Sequence, residues 1–227
     1  MSPLWKRTLL LVAITLLGTC PGASPALAAP QVHVLRGTLD LSRHDFTRES
    51  LVRVQGEWEF YWDRLLTPED FSIGKPPPEP TGLLALPGSW KGYRLHSQPL
   101  GGLGQATFRL RLLTGQAQHL ALRLADIEMA YRLWANGKLV AQSGVPGTSP
   151  ETEKPHRSLV IADLDTSGQP VDLLLQISNH SFRKGGISES MAVHPAVEEP
   201  GPRHMCRKIH EPAPAWAFGV LWSTNSP

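Results

Sequence analysis

Three kinds of residue in this chain of 227 could do chemistry: nine histidines, a close pair of carboxylates and a crowd of aromatic rings. The histidines suggest metal, yet none is spaced as His-x-His or His-Glu-x-x-His. Their neighbours also lack the close carboxylate and thiolate spacing that preforms a zinc site. A histidine cluster would have to be assembled by the fold alone. Glu57 and Glu59 flank Trp58 and, on a strand, share one face about 7 Å apart. Such a pair can act as acid and base on a glycosidic bond. On an exposed face it is only solvated charge, which is the expectation here. The sequence contains no Gly-x-Ser-x-Gly elbow and no Gly-x-x-x-x-Gly-Lys-Ser/Thr phosphate loop. The chain reads as a binder rather than a catalyst.

The aromatic residues say more. Trp58, Phe60, Tyr61 and Trp62 crowd into Gly56–Trp62 (GEWEFYW), Trp90 closes Pro87–Trp90 (PGSW), and Trp134 precedes Asn136-Gly137. Large flat rings bury area in cores and stack on sugar faces, so they suit either use. Trp58 and Phe60 are expected in the core and Trp90 at a corner between sheets. Trp134 lies opposite Tyr131 and Leu133 in the alternation and is expected at the surface. Asn136, Asn179 and His180 fall at strand ends, where the ligand loops of a sandwich gather. Each is also an ordinary turn former or Asx cap.

The elements that position these residues are short strands. Gln105–Leu112 (QATFRLRL) puts Ala106, Phe108, Leu110 and Leu112 on one face and Thr107, Arg109 and Arg111 on a wet one. His119–Leu124 repeats the pattern with Leu120, Leu122 and Leu124 inward. Tyr131–Val140 reads as strand, turn, strand, because Asn136-Gly137 accepts the positive φ of a type I′ hairpin. Val171–Ile177 (VDLLLQI) is apolar enough to be buried on both faces. Thr67–Phe71 (TPEDF) carries an N-cap signature and predicts a single helical turn. Glycine (20) and proline (21) supply the turns between strands, and the fold class that follows is all-β, a jelly-roll β-sandwich over 37–197.

The two ends differ. Met1–Arg7 is short and basic, Thr8–Gly18 is an apolar run, and Ala26-Leu27-Ala28 fits the small-x-small cleavage rule. Residues 1–28 are therefore expected to be a signal peptide, with 29–36 a linker and the mature chain exported to the periplasm or cell exterior. A lipoprotein signal ending at Cys20 is the competing reading, against which Thr19 stands as a poor fit; an uncleaved anchor is the third. Cleavage would leave Cys206 alone, so no intrachain disulfide is expected. Loss of Lys6 and Arg7 turns 22 basic against 20 acidic residues into a balance. A neutral chain has no footprint for a phosphate backbone, which excludes nucleic acid. Residues 198–227 lose the alternation and gather prolines around Arg203–His210 (RHMCRKIH), an irregular tail, either frayed or left by truncation or a shifted reading frame.

Taken in order, Gly37–Leu41 (GTLDL), GEWEFYW, PGSW, Gly104–Arg109 (GQATFR), Trp134–Gly137 (WANG) and Ser178-Asn179 followed by Gly185-Gly186 resemble an extracellular sensor domain. That domain belongs to bacterial seven-transmembrane receptors with diverse intracellular signalling modules. It is similar in turn to the sugar-binding β-domain of family 2 glycoside hydrolases. The resemblance implies a galactose-binding-like jelly roll, with no catalytic residue to carry over. In the family, seven membrane helices and a kinase or cyclase output follow, and after Pro200 this sequence departs from that plan.

The leading expectation is a non-enzymatic sensor for a carbohydrate or small polar ligand, with a membrane receptor or other signalling partner. Trp134 would stack on the sugar, and Arg109, Asn136, Asn179 and His180 would fix its hydroxyls. Two alternatives stand beside it: a periplasmic protein-interaction module, and the ancillary domain of a split glycosidase. No cofactor is expected. A structural calcium, as jelly rolls often carry, would look to Asp163-Leu164-Asp165, a sequence that otherwise reads as a turn.

Overall fold

The computed structural model describes residues 32–115 and 119–196. The expected signal peptide, the tail with Cys206 and the start of the expected linker lie outside the described residues. Strands dominate what is described. They are β1 (Thr38–Leu41), β2 (Val52–Val54), β3 (Gly56–Trp62), β4 (Gly82–Leu86), β5 (Gly88–Ser89), β6 (Arg94–Leu95) and β7 (Gln98–Pro99). There follow β8 (Gly104–Thr114), β9 (His119–Ile127), β10 (Ala130–Ala135), β11 (Lys138–Ser143), β12 (Ser158–Asp165), β13 (Val171–Asn179), β14 (Gly186–Ile187) and β15 (Met191–Pro195).

Two sheets carry the fold. The larger has seven strands in the order β11-β10-β13-β8-β3-β4, with β1 added in parallel along β8; the smaller has four, β12-β9-β15-β2. The chain crosses between the sheets repeatedly, as in a jelly roll, and the alternation seen in the sequence becomes the seal between them. Phe108, Leu110 and Leu112 from β8 meet Leu120, Leu122 and Leu124 from β9 in one buried cluster with Trp58, Phe60 and Trp90. β13 is buried almost end to end because it is central, paired with β10 on one side and β8 on the other. The expected hairpin is present: Asn136 and Gly137 have φ of 48° and 80°, and β10 pairs antiparallel with β11 across them. The helical turn is a short 3-10 segment, Pro68–Phe71, whose Asp70 carboxylate accepts a hydrogen bond from the Thr67 backbone N–H at 2.8 Å.

Three local expectations need revising. The linker expected at 29–36 is already part of the sandwich where it is described. Val34 is buried and bridges Gly56, its N–H donating to the Gln55 carbonyl at 2.7 Å. The wet face of β8 is only partly wet, since Thr107 is fully buried and Arg109 half-buried, leaving Arg111 exposed. The cause is the chain between β3 and β4, which straps across the larger sheet's outer face. The Leu66 N–H donates to Thr107 Oγ1, Thr107 Oγ1 donates to the Arg64 carbonyl, and Gln176 Nε2 donates to the Leu66 carbonyl. Finally, Asp163-Leu164-Asp165 is no turn: it ends strand β12, with both carboxylates exposed and Leu164 in the core. Among the described residues no group of three His, Cys, Asp or Glu side chains could hold a metal ion, and no helix is long and apolar enough to cross a membrane.

Candidate functional site

The five residues singled out in the sequence fall in two places. Arg109, Trp134 and Asn136 belong to the outer face and one end of the larger sheet. Asn136 is a turn residue in practice: its backbone N–H donates to the Asp172 carbonyl at 2.9 Å, and its Oδ1 accepts from the Asp172 N–H at 2.8 Å. Trp134 is half-buried opposite Leu174. Arg109 is held on every side. Its guanidinium donates to both carboxylate oxygens of Asp172 at 2.9–3.2 Å, lies 3.8 Å from Glu59, and sits 4.5 Å over the Phe71 ring. These contacts staple the 3-10 turn onto the sheet and commit the Nε and Nη2 donors of Arg109 to Asp172. Of the carboxylate pair, Glu57 is exposed, while Glu59 accepts a hydrogen bond from the Tyr61 hydroxyl at 2.8 Å.

That pairing has a pH consequence. Burial first, and then the Glu59 carboxylate, push the Tyr61 phenol far above its ordinary value, and burial does the same to Tyr131. In the unfolded chain both phenols ionise near 10. The stability they share is therefore complete below pH 10 and falls as pH rises beyond it, where only the unfolded state loses protons. Urea denaturation between pH 9 and 11.5 should show this alkaline decline, and Tyr61→Phe should make it shallower. An unchanged slope in the variant would contradict the assignment.

Asn179 and His180 stand at the other end of β13, about 23 Å from Asp172 at the strand's rise per residue. Here the loops converge. Asn179 is fully buried; its Nδ2 donates to the carbonyls of Gly102 and Phe182 at 2.7 and 2.8 Å, and its Oδ1 accepts from the Phe182 N–H at 2.9 Å. The His180 backbone N–H donates to Glu153 Oε2 at 2.8 Å, and its Nε2 lies 3.2 Å from the Gly147 carbonyl oxygen. Glu153 also accepts from Ser178 Oγ at 2.6 Å and Ser181 Oγ at 3.4 Å. Behind the loop, Trp90 N–H donates to the Gly185 carbonyl and its Nε1 to the Gly102 carbonyl, both at 3.1 Å. The segment leaving β13 is thus clamped at both ends, and its middle is left to face outward.

That middle walls a cavity of about 560 Å³. The floor is apolar: Ile127, Met129 and Ile187 are all buried. Phe182, 36% exposed, stands at the rim. Charge surrounds it, with Arg157, Arg183 and Lys184 against Glu128 and Glu189. Sequence reasoning named the brackets of this wall, Asn179 and Gly185-Gly186, and passed over what lies between them. The available signal was an aromatic followed by two cations, Phe182-Arg183-Lys184, in a turn that needs neither.

No protein-family model matches the chain, and no curated protein matches it. Among solved structures it is similar to a Ruminococcus gnavus beta-glucuronidase, with a TM-score of 0.48 and 15% identity over 65% of this chain and 28% of that one. A Faecalibacterium prausnitzii beta-glucuronidase gives 0.47 and 16%, covering 65% of this chain and 32% of that one. The chain thus spans less than a third of the length of these enzymes.

Proposed function

We propose that the sandwich is a non-enzymatic ligand-binding domain of an exported chain, taking a saccharide or similar small polar molecule and reporting it to a membrane receptor. The observation that carries this reading is the loop-end cavity. Its volume lies within the range of small-molecule sites, and it joins an apolar floor and an aromatic rim to a ring of hydrogen-bonding groups. A sugar has matching surfaces, since its C–H face packs on a ring and its hydroxyls need donors and acceptors. The export pattern at residues 1–28 and the order of the six sequence motifs support the sensor role. A protein-contact reading has one observation in its favour: Leu159 and Ile161, 55% and 56% exposed, share the outer face of β12.

Calorimetric titration against a broad panel of mono- and oligosaccharides tests the proposal. At least one should bind, Phe182→Ala should weaken it tenfold or more, and Trp134→Ala should leave it unchanged. A panel with no response, or a loss caused by Trp134→Ala instead of Phe182→Ala, would move the function elsewhere.

A further inference from the structure

We infer that the cavity selects a carboxylate-bearing ligand, a uronic acid or the uronate end of a glycan, over the matching neutral sugar; this rests on the saccharide reading above. The inference comes from how the rim charges are committed. Glu128 and Arg157 are already paired at 3.6 Å, so their charges offset each other. Arg183 and Lys184 form no side-chain hydrogen bond or ion pair with any described residue, and Glu189 is the one other charged side chain on the wall. Two adjacent cations therefore outnumber the one carboxylate left on the wall, and they stand beside a floor of buried Ile127, Met129 and Ile187 side chains.

These cations are borne by a fixed backbone. Asn179 holds Phe182 from both its N–H and its carbonyl, as described above. The Arg183–Lys184 peptide packs against Gly102 so closely that a Cβ on that glycine would lie 2.2 Å from the Arg183 carbonyl oxygen. A fixed turn loses less freedom on capturing a ligand than a loose one does. A neutral sugar gives the two cations nothing they lack in water. A carboxylate gives them charge-assisted hydrogen bonds, which the guanidinium fork can make in pairs. In that pose the ring's apolar face rests against Phe182, and the Glu189 carboxylate, on the same wall, can accept from a hydroxyl.

The test titrates the intact chain with glucose against glucuronate and galactose against galacturonate, and then with a short oligogalacturonide to separate a free acid from a glycan end. At least one acid should bind tenfold or more tightly than its neutral partner. The preference should shrink at 0.5 M salt and vanish in the double variant Arg183→Gln, Lys184→Gln, whose thermal unfolding should match the parent. Equal affinity for acid and neutral sugar, or a preference that survives the double variant, overturns the inference and leaves the saccharide reading standing. Absence of binding by any sugar or acid overturns both.

Discussion

Trp90→Ala should lower the unfolding free energy by about 3–5 kcal/mol, the usual cost of emptying a large buried aromatic site, and drop the Tm by roughly 10–15 °C for a domain of this size. The ring is 0% exposed and is packed edge-on to Trp62 at 5.6 Å and stacked on Phe108 at 6.5 Å. Three segments depend on it. Its indole N–H ties down Gly102, its backbone N–H ties down Gly185, and β5, which precedes it, pairs with β14. Gly185 lies so close that a Cβ there would fall 2.0 Å from the ring, so no larger residue fits without displacing the indole. Collapse into the vacancy is blocked by the two clamped loops on either side. Trp90→Phe should fall between parent and alanine variant, because it keeps most of the ring and loses the Gly102 bond. Trp134→Ala, on a half-buried outer position, should cost less than about 1.5 kcal/mol. Thermal unfolding followed by circular dichroism ranks the three. Equal losses at positions 90 and 134 would refute the placement of Trp90 as the wedge between sheet and loops.

How much of this was readable beforehand depends on how far apart the partners lie in the chain. Period-two alternation is local, so β8, β9 and the β10–β11 hairpin could be drawn from their own residues, and the apolar run Val171–Ile177 sufficed to mark a central strand. The capping pattern at Thr67 is equally local. Thr107 was misplaced because its burial is contributed by Arg64 and Leu66, more than forty residues earlier. Alternation reports which face points away from the core and is silent about what later covers it. The candidate site suffers the same limit. Asn136 and Asn179 look alike as strand-end asparagines, yet one closes a turn against Asp172 and the other clamps Gly102. Arg109 looked available because Asp172, Glu59 and Phe71 come from three other segments. The cavity rim was missed for a related reason: Ile127 and Met129 of its floor come from the end of β9 and the β9–β10 connection, which meet Phe182 only in three dimensions, although Ile187 follows it by five residues.

Glu153→Ala should unlock that rim. The carboxylate is 6% exposed and has no cation within ion-pair distance among the described residues. Its charge is balanced instead by three donors, Ser178 Oγ, Ser181 Oγ and the His180 backbone N–H. Ser178 Oγ accepts from the Gly147 N–H at 3.1 Å, so the same group joins the loop before β12 to the loop after β13. Removing the acceptor leaves donors that only entering water can satisfy, a loss of about 2 kcal/mol in stability. Glu153→Gln keeps one acceptor oxygen and aims an N–H₂ group at another donor, so it should recover only part of that. The larger effect is on position. The wall carrying Phe182, Arg183 and Lys184 hangs from this junction, and Glu153 touches none of the cavity itself. Amide exchange of residues 180–184 should therefore quicken at least tenfold in the alanine variant while the central amides of β13 keep their protection. Saccharide affinity should fall fivefold or more at a temperature where parent and variant are both fully folded. A variant that loses stability with unchanged exchange and unchanged affinity would show Glu153 to be ballast for the sandwich, with the cavity wall held by Asn179 and Trp90 alone.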